Sequence, residues 1–191
     1  MSKEKIGKQN SDRNIKETTD RMIRVNHAGE FGASCIYQGQ LSVLAKSSVG
    51  KTIQHMADQE KDHLETFDKL IIERRIRPTA LSPIWSLAGY SLGVLTARMG
   101  EKAAMACTVA VEEVIEEHYK SQHETLGDKD PELSIIIDKF RLDEIEHKSI
   151  SNNFINLNKS SEAEQDENIY PLMSKAIKAG SKLAIWLSSR L

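Results

Sequence analysis

Glutamate and histidine recur in one order, twice, along this chain. Glu30 precedes Glu60-Lys61-Asp62-His63, and Glu112 precedes Glu144-Ile145-Glu146-His147. The separations nearly match, 60 − 30 = 30 residues and 144 − 112 = 32. Carboxylates and imidazoles suit iron in a site that keeps positions open for oxygen. A glutamate from each of two helices and Glu-x-x-His from each of two others form the inward-facing set of a dinuclear metal centre in a four-helix bundle. The expected chemistry is therefore oxygen or peroxide handling at a buried metal pair.

Such a site requires the four glutamates to lie on core faces. On a helix, positions seven apart nearly eclipse each other. Glu30 then lies between Ile23 and Tyr37, Glu60 between Ile53 and Phe67, and Glu112 between Met105 and Tyr119. Glu144 follows Ile137 and precedes Ser151, with Phe140 and Ile155 on the same stripe. A carboxylate in mid-stripe is an unpaired buried charge unless a metal or partner meets it. The three-residue step places each histidine beside its glutamate. Glu113 falls about a quarter-turn off its stripe and Glu146 points nearly opposite Glu144, so both belong to solvent. A lone Glu-x-x-His is most often a solvated surface pair. Two copies, each preceded by a mid-stripe glutamate at similar separation, favour the dinuclear site.

The elements that would carry these residues are all helical. A first helix is expected from near Asp20, a suitable N-cap, to about Lys46. A second is expected from Ser48-Val49-Gly50 to about Arg77, stopped by Pro78. The third spans about Gly100 to Leu126 and ends at Gly127-Asp128. The fourth starts at Asp130-Pro131 and runs to about Leu157. Gly29 and Gly32 flank Glu30 and suggest close helix approach around the site. Residues 1–19 are polar and aperiodic, expected to fray or stay disordered. They precede a single domain over 20–191, and a polar stretch, Asn158 to Glu167, links the fourth helix to the C-terminal segment. The chain has 191 residues and a net charge of −2, which gives no electrostatic case for nucleic-acid binding. Its two isolated cysteines, Cys35 and Cys107, fit a reducing compartment. The first residues lack the apolar stretch of a secretory signal.

Two apolar segments stand outside the four helices. The crossover, 78–100, contains the uncharged run Leu81 to Ala97, interrupted by Pro83, Gly89 and Gly93, too short and mixed for a transmembrane helix. It reads as the long connection between the halves of a ferritin-like bundle, or as a membrane-facing surface; the two are compatible. The C-terminal segment, 169–191, sets Leu, Ile and Trp among Lys175, Lys178, Lys182 and Arg190. That pattern suits a helix lying in a lipid interface, and equally a helix capping the bundle.

At these residues the chain resembles the demethoxyubiquinone hydroxylases, di-iron monooxygenases of ubiquinone biosynthesis. The resemblance covers Met22 to Ala33 (MIRVNHAGEFGA), Asp58 to Leu64 (DQEKDHL), Arg77-Pro78-Thr79 and Ala104 to Glu113 (AMACTVAVEE). It continues through Asp143 to His147 (DEIEH) to the terminus Leu187 to Leu191 (LSSRL). Asn26 stands where the family commonly has an acid, and Phe31 where it commonly has tyrosine; neither is among the six ligands. The resemblance implies an all-α, ferritin-like four-helix bundle with a long apolar crossover and an amphipathic C-terminal helix. It implies that Glu30, Glu60, His63, Glu112, Glu144 and His147 bind two iron ions, with Glu60 and Glu144 bridging. His118 and Tyr119 match a pair that the family places near the cluster, in moving electrons or protons; a packed core aromatic is the plainer reading of Tyr119.

The implied reaction is O₂-dependent hydroxylation of the ring of a polyprenyl demethoxy-benzoquinol, that is, 3-demethoxyubiquinol 3-hydroxylation. Reducing equivalents would come from NADH or from the quinol, although no Gly-rich dinucleotide fingerprint is present. The implied partners are the quinol and a membrane surface, with a lipid-presenting helper protein, a ubiquinone-biosynthesis complex and self-association as further candidates. The expected location is peripheral, on the cytoplasmic face of the cell membrane or, in a eukaryote, on an organelle's inner membrane. Two other readings use the same residues. A ferritin-like iron-storage or peroxide-scavenging protein would need neither apolar segment. A structural, lipid-binding bundle would pair the glutamates with Lys and Arg.

Overall fold

The computed structural model describes the backbone of residues 3–158 and 166–191 and the side chains of residues 12–158 and 170–191. Six α-helices follow one another: α1 Lys3–Leu44, α2 Gly50–Glu73, α3 Ser82–Arg98, α4 Glu101–Leu126, α5 Pro131–Leu157 and α6 Asp166–Ser188. A 3₁₀ turn, Gly127–Lys129, joins α4 to α5, and no strand occurs among the described residues. Helices α1, α2, α4 and α5 form the ferritin-like bundle, with α3 laid on α1 and α6 on α4. Residues 159–165, most of the expected polar linker, lie outside the described residues.

The heptad stripes read from the sequence face the core. Ile23, Phe67, Tyr119 and Ile137 are buried in one apolar cluster, and Tyr37, Ile53 and Met105 in a second. Glu30, Glu60, Glu112 and Glu144 occupy the layer between these clusters, each no more than 1% exposed. Glu113 and Glu146 are exposed, as their angular offsets require.

Several boundaries differ from expectation, each for a local reason. The first helix begins at Lys3 rather than near Asp20. Asp20 does not cap a helix; it pairs with Lys16 one turn earlier, and Glu17 accepts from Arg13 at 2.9 Å. Such i,i+4 pairs support a polar helical face that lacks an apolar period. Helix α2 stops at Glu73, four residues short of Arg77. The Ile76 N–H reaches the Ile71 carbonyl (2.9 Å) and the Arg75 N–H reaches that of Ile72 (3.2 Å), with Arg75 at φ 55°. This is a Schellman closure, sealed by burial of Ile76 and Ile71 in one cluster, so the helix ends before Pro78 can act. Asp130 behaves as expected: its carboxylate accepts from the Leu133 N–H at 3.2 Å, and Pro131 opens α5.

The apolar crossover is itself a helix, α3, continuous through Gly89 and Gly93. These glycines let α3 approach α1 to backbone contact. A Cβ on Gly93 would stand 2.0 Å from the Ile36 carbonyl oxygen, and one on Gly39 would stand 2.3 Å from that of Tyr90. Close helix approach therefore occurs at Gly39, Gly89 and Gly93. The approach expected near Gly29 and Gly32 is present on one side only: a Cβ on Gly89 would stand 2.8 Å from the Gly32 carbonyl oxygen, while a Cβ on Gly29 or Gly32 itself would meet nothing within 4 Å.

Candidate metal centre

The bundle brings all six sequence-predicted ligands together at its core. Ligand atoms of Glu30, Glu60, His63 and Glu144 lie within 4.8 Å of one another, as do those of Glu60, Glu112, Glu144 and His147. Glu60 and Glu144 belong to both groups, so the site reads as two adjoining positions sharing two carboxylates. Each histidine turns Nδ1 inward. His63 Nδ1 lies 3.4 Å from Glu30 Oε2 and 3.5 Å from Glu144 Oε1. His147 Nδ1 lies 3.2 Å from Glu60 Oε1 and 3.4 Å from Glu144 Oε2.

The outer nitrogens are held across the bundle. His63 Nε2 meets Asp143 Oδ2 at 3.0 Å, and His147 Nε2 meets Gln59 Oε1 at 3.1 Å. Both partner atoms are acceptors, so Nε2 carries a proton in each ring, and Nδ1, once it gives up any proton to a metal, directs its lone pair into the site. The residue preceding each Glu-x-x-His thus fixes the histidine of the other. Two tyrosines complete a pseudo-two-fold arrangement. Tyr37, seven residues after Glu30, donates its hydroxyl to Glu112 Oε1 at 2.6 Å. Tyr119, seven residues after Glu112, donates to Glu30.

Protein groups do not satisfy the interior of this box. Glu30 Oε2, both oxygens of Glu60 and Glu144, Glu112 Oε2 and the two Nδ1 atoms are buried without a hydrogen-bond partner. Orphaned buried polar atoms are costly, and a set of lone pairs all aimed at one volume is the environment of a cation. The box adjusts by redistributing protons. Burial, then the charges of Glu144, Glu30 and Glu112, hold Glu60 far above the usual carboxylate range. Burial, then Glu144, do the same to Glu112, and burial raises Glu144. Burial opposes ionisation of Glu30, yet the adjoining His63 outweighs it and keeps that carboxyl below its ordinary value. His63 is pushed up to about 11, its desolvation overcome by Glu144 and Glu30. His147 is lowered by burial. Metal ions binding here would compete with the protons for which Glu60, Glu112, Glu144 and His63 have raised affinity.

One face of the box opens on a cavity of about 500 Å³ between α1, α3, α4 and α6. Glu30 and Tyr119 stand at its inner wall, and most of its lining is apolar, including Ala33, Ile36, Leu92, Val111 and Ile177. Gly29 and Gly32 also line it, and a Cβ on either would point into this space, although the Gly32 carbonyl lies against Gly89 of α3. His118 lies on the same wall. Burial lowers its pKa to about 4, so it is neutral, and its Nε2 accepts from Gln122 Nε2 at 2.7 Å. Gln122 exchanges two 2.8 Å hydrogen bonds with Asn26, so an amide at position 26 is used as an amide. Tyr119 is a buried core aromatic, its plainer reading, and its hydroxyl also donates to Glu30.

Sequence reasoning missed Tyr37, Gln59 and Asp143. Their signals are present in the sequence: Tyr37 is a stripe neighbour of Glu30, and the other two immediately precede Glu60 and Glu144. What was lacking was the cross-bundle pairing, which no linear spacing encodes.

Fold and site together define a ferritin-like helical protein with a buried carboxylate–histidine box suited to metal. Comparison with known proteins narrows this class. The chain belongs to the family described as "Ubiquinone biosynthesis protein COQ7", whose pattern matches residues 17–188. It is 51% identical over 173 residues to the 3-demethoxyubiquinol 3-hydroxylase of Rhodospirillum rubrum, covering 90% of this chain and 78% of that one. It is 50% identical over 182 residues to the "NADPH-dependent 3-demethoxyubiquinone 3-hydroxylase, mitochondrial" of Dictyostelium discoideum, covering 92% and 79%. The Homo sapiens protein of the same name is 48% identical over 176 residues, covering 90% and 77%. The relatives are oxidoreductases by name, and this chain is an enzyme of that class, a hydroxylase.

Proposed function

We propose that this protein is a di-iron, O₂-dependent monooxygenase that hydroxylates the ring of a polyprenyl demethoxy-benzoquinol, a 3-demethoxyubiquinol 3-hydroxylase of ubiquinone biosynthesis. One observation carries the reading beyond a generic metal protein. The apolar cavity ends on Glu30, inside the carboxylate–histidine box, so a lipophilic ring can be brought to the metal position without crossing water. Iron storage or peroxide scavenging does not call for such an antechamber.

Glu30, Glu60, His63 and Glu144 would hold one iron, and Glu60, Glu112, Glu144 and His147 the other, with Glu60 and Glu144 shared. When bound, the iron pair supplies O₂ activation, the hard chemistry that side chains cannot perform. The chain's own residues do the rest. Tyr119 and Tyr37 hold Glu30 and Glu112 in place through their hydroxyls, while Asp143 and Gln59 orient the imidazoles. Apolar walls exclude water from the guest ring and from the box. Neutral His118, which lines the cavity with Tyr119, would pass a proton or electron between the guest and the box.

The surface supports a peripheral membrane location. Leu172, Leu183 and Trp186 of α6, and Ile84, Leu87 and Leu95 of α3, are more than half exposed. No described helix is long and apolar enough to cross a membrane. Helix α6 caps the bundle with one face, and the lipid-interface reading would use the other. Ile177 is buried, Lys178 and Lys182 bind Glu113 and Glu117 of α4 at 2.7 and 2.8 Å, and Trp85 donates to Ser188 at 3.0 Å. Its other face would lie in the lipid. Several eukaryotic relatives are named mitochondrial, which supports the organelle's inner membrane in a eukaryote and the cytoplasmic face of the cell membrane in a bacterium. A reduced nicotinamide, NADH or the NADPH of those relatives' names, or the quinol itself, would supply electrons. Pull-down and sizing experiments would detect a lipid-presenting partner or a second copy of the chain.

The test is turnover. Iron-loaded protein given demethoxy-benzoquinol, reductant and O₂ should yield the ring-hydroxylated product by mass spectrometry, and His147→Ala should yield none while staying helical. Full activity in that variant, or peroxide consumption without hydroxylated product, would overturn the assignment.

A further inference from the structure

The two halves of the box match in their ligands and tyrosines and differ in what holds each histidine, including a stacked Phe140 on His63 alone. Glu30 and Glu112 each accept from a tyrosine, Glu60 and Glu144 are shared, and both histidines present Nδ1. The outer partners differ: a carboxylate, Asp143, for His63, and an amide, Gln59, for His147. Glu30, of the half that contains His63, also lines the cavity.

We propose that Asp143 and Gln59 are positioning residues that make the two metal positions unequal, so that the position held by His63 binds divalent metal more tightly than the position held by His147. The inference rests on the dinuclear reading above. A carboxylate accepting the Nε2 proton gives the ring part of an imidazolate's basicity, whereas an amide orients it without adding negative charge. The charge-assisted bond is also the stronger of the two and holds the ring more firmly. Outer partners of this kind set metal affinity by about 10- to 100-fold. The charge of Asp143 reaches both positions through space, but its hydrogen bond reaches only one. The guest cavity therefore abuts the position that keeps its metal, and the sealed position holds the more exchangeable ion.

Cobalt(II) titration of the metal-free full chain, followed by d–d absorption and calorimetry, tests this without turnover. Wild type should take up two equivalents in two separable steps. Asp143→Asn should weaken the first step about 10- to 100-fold and leave the second within about threefold, and Asp143→Glu should restore it. Gln59→Glu should tighten the second step and merge the two. Helical circular dichroism of each metal-free variant reports folding, and because Asp143→Asn and Gln59→Glu are isosteric and opposite in sign, either of these two arms decides alone. Unchanged steps in Asp143→Asn, equal weakening of both, or an unmoved second step in Gln59→Glu would overturn the inference. Wild type binding fewer than two equivalents would instead overturn the dinuclear reading, and this inference with it.

Discussion

Glu144→Gln should make the protein more stable without metal and less stable with it. Glu144 lies in both ligand groups, is fully buried, and its charge helps raise Glu60 and Glu112. The amide keeps the shape and removes one charge from a box with eight buried polar atoms lacking a hydrogen-bond partner. Replacing buried charge by neutral groups is typically neutral or stabilising, here about 0–2 kcal/mol in the metal-free state. Metal reverses the order. A ligand at 100 times its dissociation constant stabilises by about 2.7 kcal/mol, so two positions give about 5 kcal/mol, or roughly 10–20 °C in Tm for a domain of this size. Loss of a shared carboxylate should erase most of that increment. Thermal unfolding of both proteins, metal-free and loaded, is the assay. The pH dependence has a definite sign. Glu60, Glu112 and Glu144 have raised folded-state values, so their stabilising contribution is complete below the ordinary carboxylate value and is lost as pH rises through the folded value. Metal takes the place of those protons, so the increment should grow with pH. A loaded wild type no more stable than the stripped protein, or a variant that gains as much from metal as wild type, would refute the reasoning.

Further consequences can be checked on separate parts of the molecule. Gly93→Ala should destabilise by about 1–3 kcal/mol or more because its Cβ would enter the Ile36 carbonyl, as urea denaturation will register. Gly32→Val should leave the fold intact and fill the cavity, so a raised KM for the long-tailed quinol with little change in Tm is expected; an unchanged KM would contradict the cavity's role. His118 has its pKa lowered to about 4, so its contribution is complete above 6.5 and lost as pH falls toward 4. Wild type should lose up to about 3 kcal/mol over that window that His118→Gln does not, and parallel stability curves would refute it. Replacing exposed Leu183 and Trp186 by serine should lower liposome co-sedimentation several-fold at constant Tm, and unchanged binding would remove α6 from the interface.

The bundle and its six inward residues were legible because both follow helical period. A glutamate seven residues from Ile23 and Tyr37 has nowhere to point but inward, and Glu113, one residue beyond Glu112, must point elsewhere. Caps with local chemistry, such as Asp130-Pro131, were equally plain. Features set by contact between distant helices were not. Gly89 and Gly93 look like interruptions in one dimension and are the contact surface of α3 in three. Gly29 and Gly32 look like contacts alone and also form the wall of a cavity, Gly32 meeting α3 only through its carbonyl. The end of α2 escaped because Arg75 takes the left-handed turn that glycine normally marks. The exchange of partners, Asp143 on His63 and Gln59 on His147, depends on the packing of α2 against α5.

The most direct measurement is isotopic. Protein carrying two iron ions per chain, given demethoxy-benzoquinol and reductant under ¹⁸O₂, should release hydroxylated quinol bearing one ¹⁸O atom on its ring. Metal-stripped protein should release none. Product whose new oxygen comes from water, or hydroxylation at full rate by the stripped protein, would contradict the account.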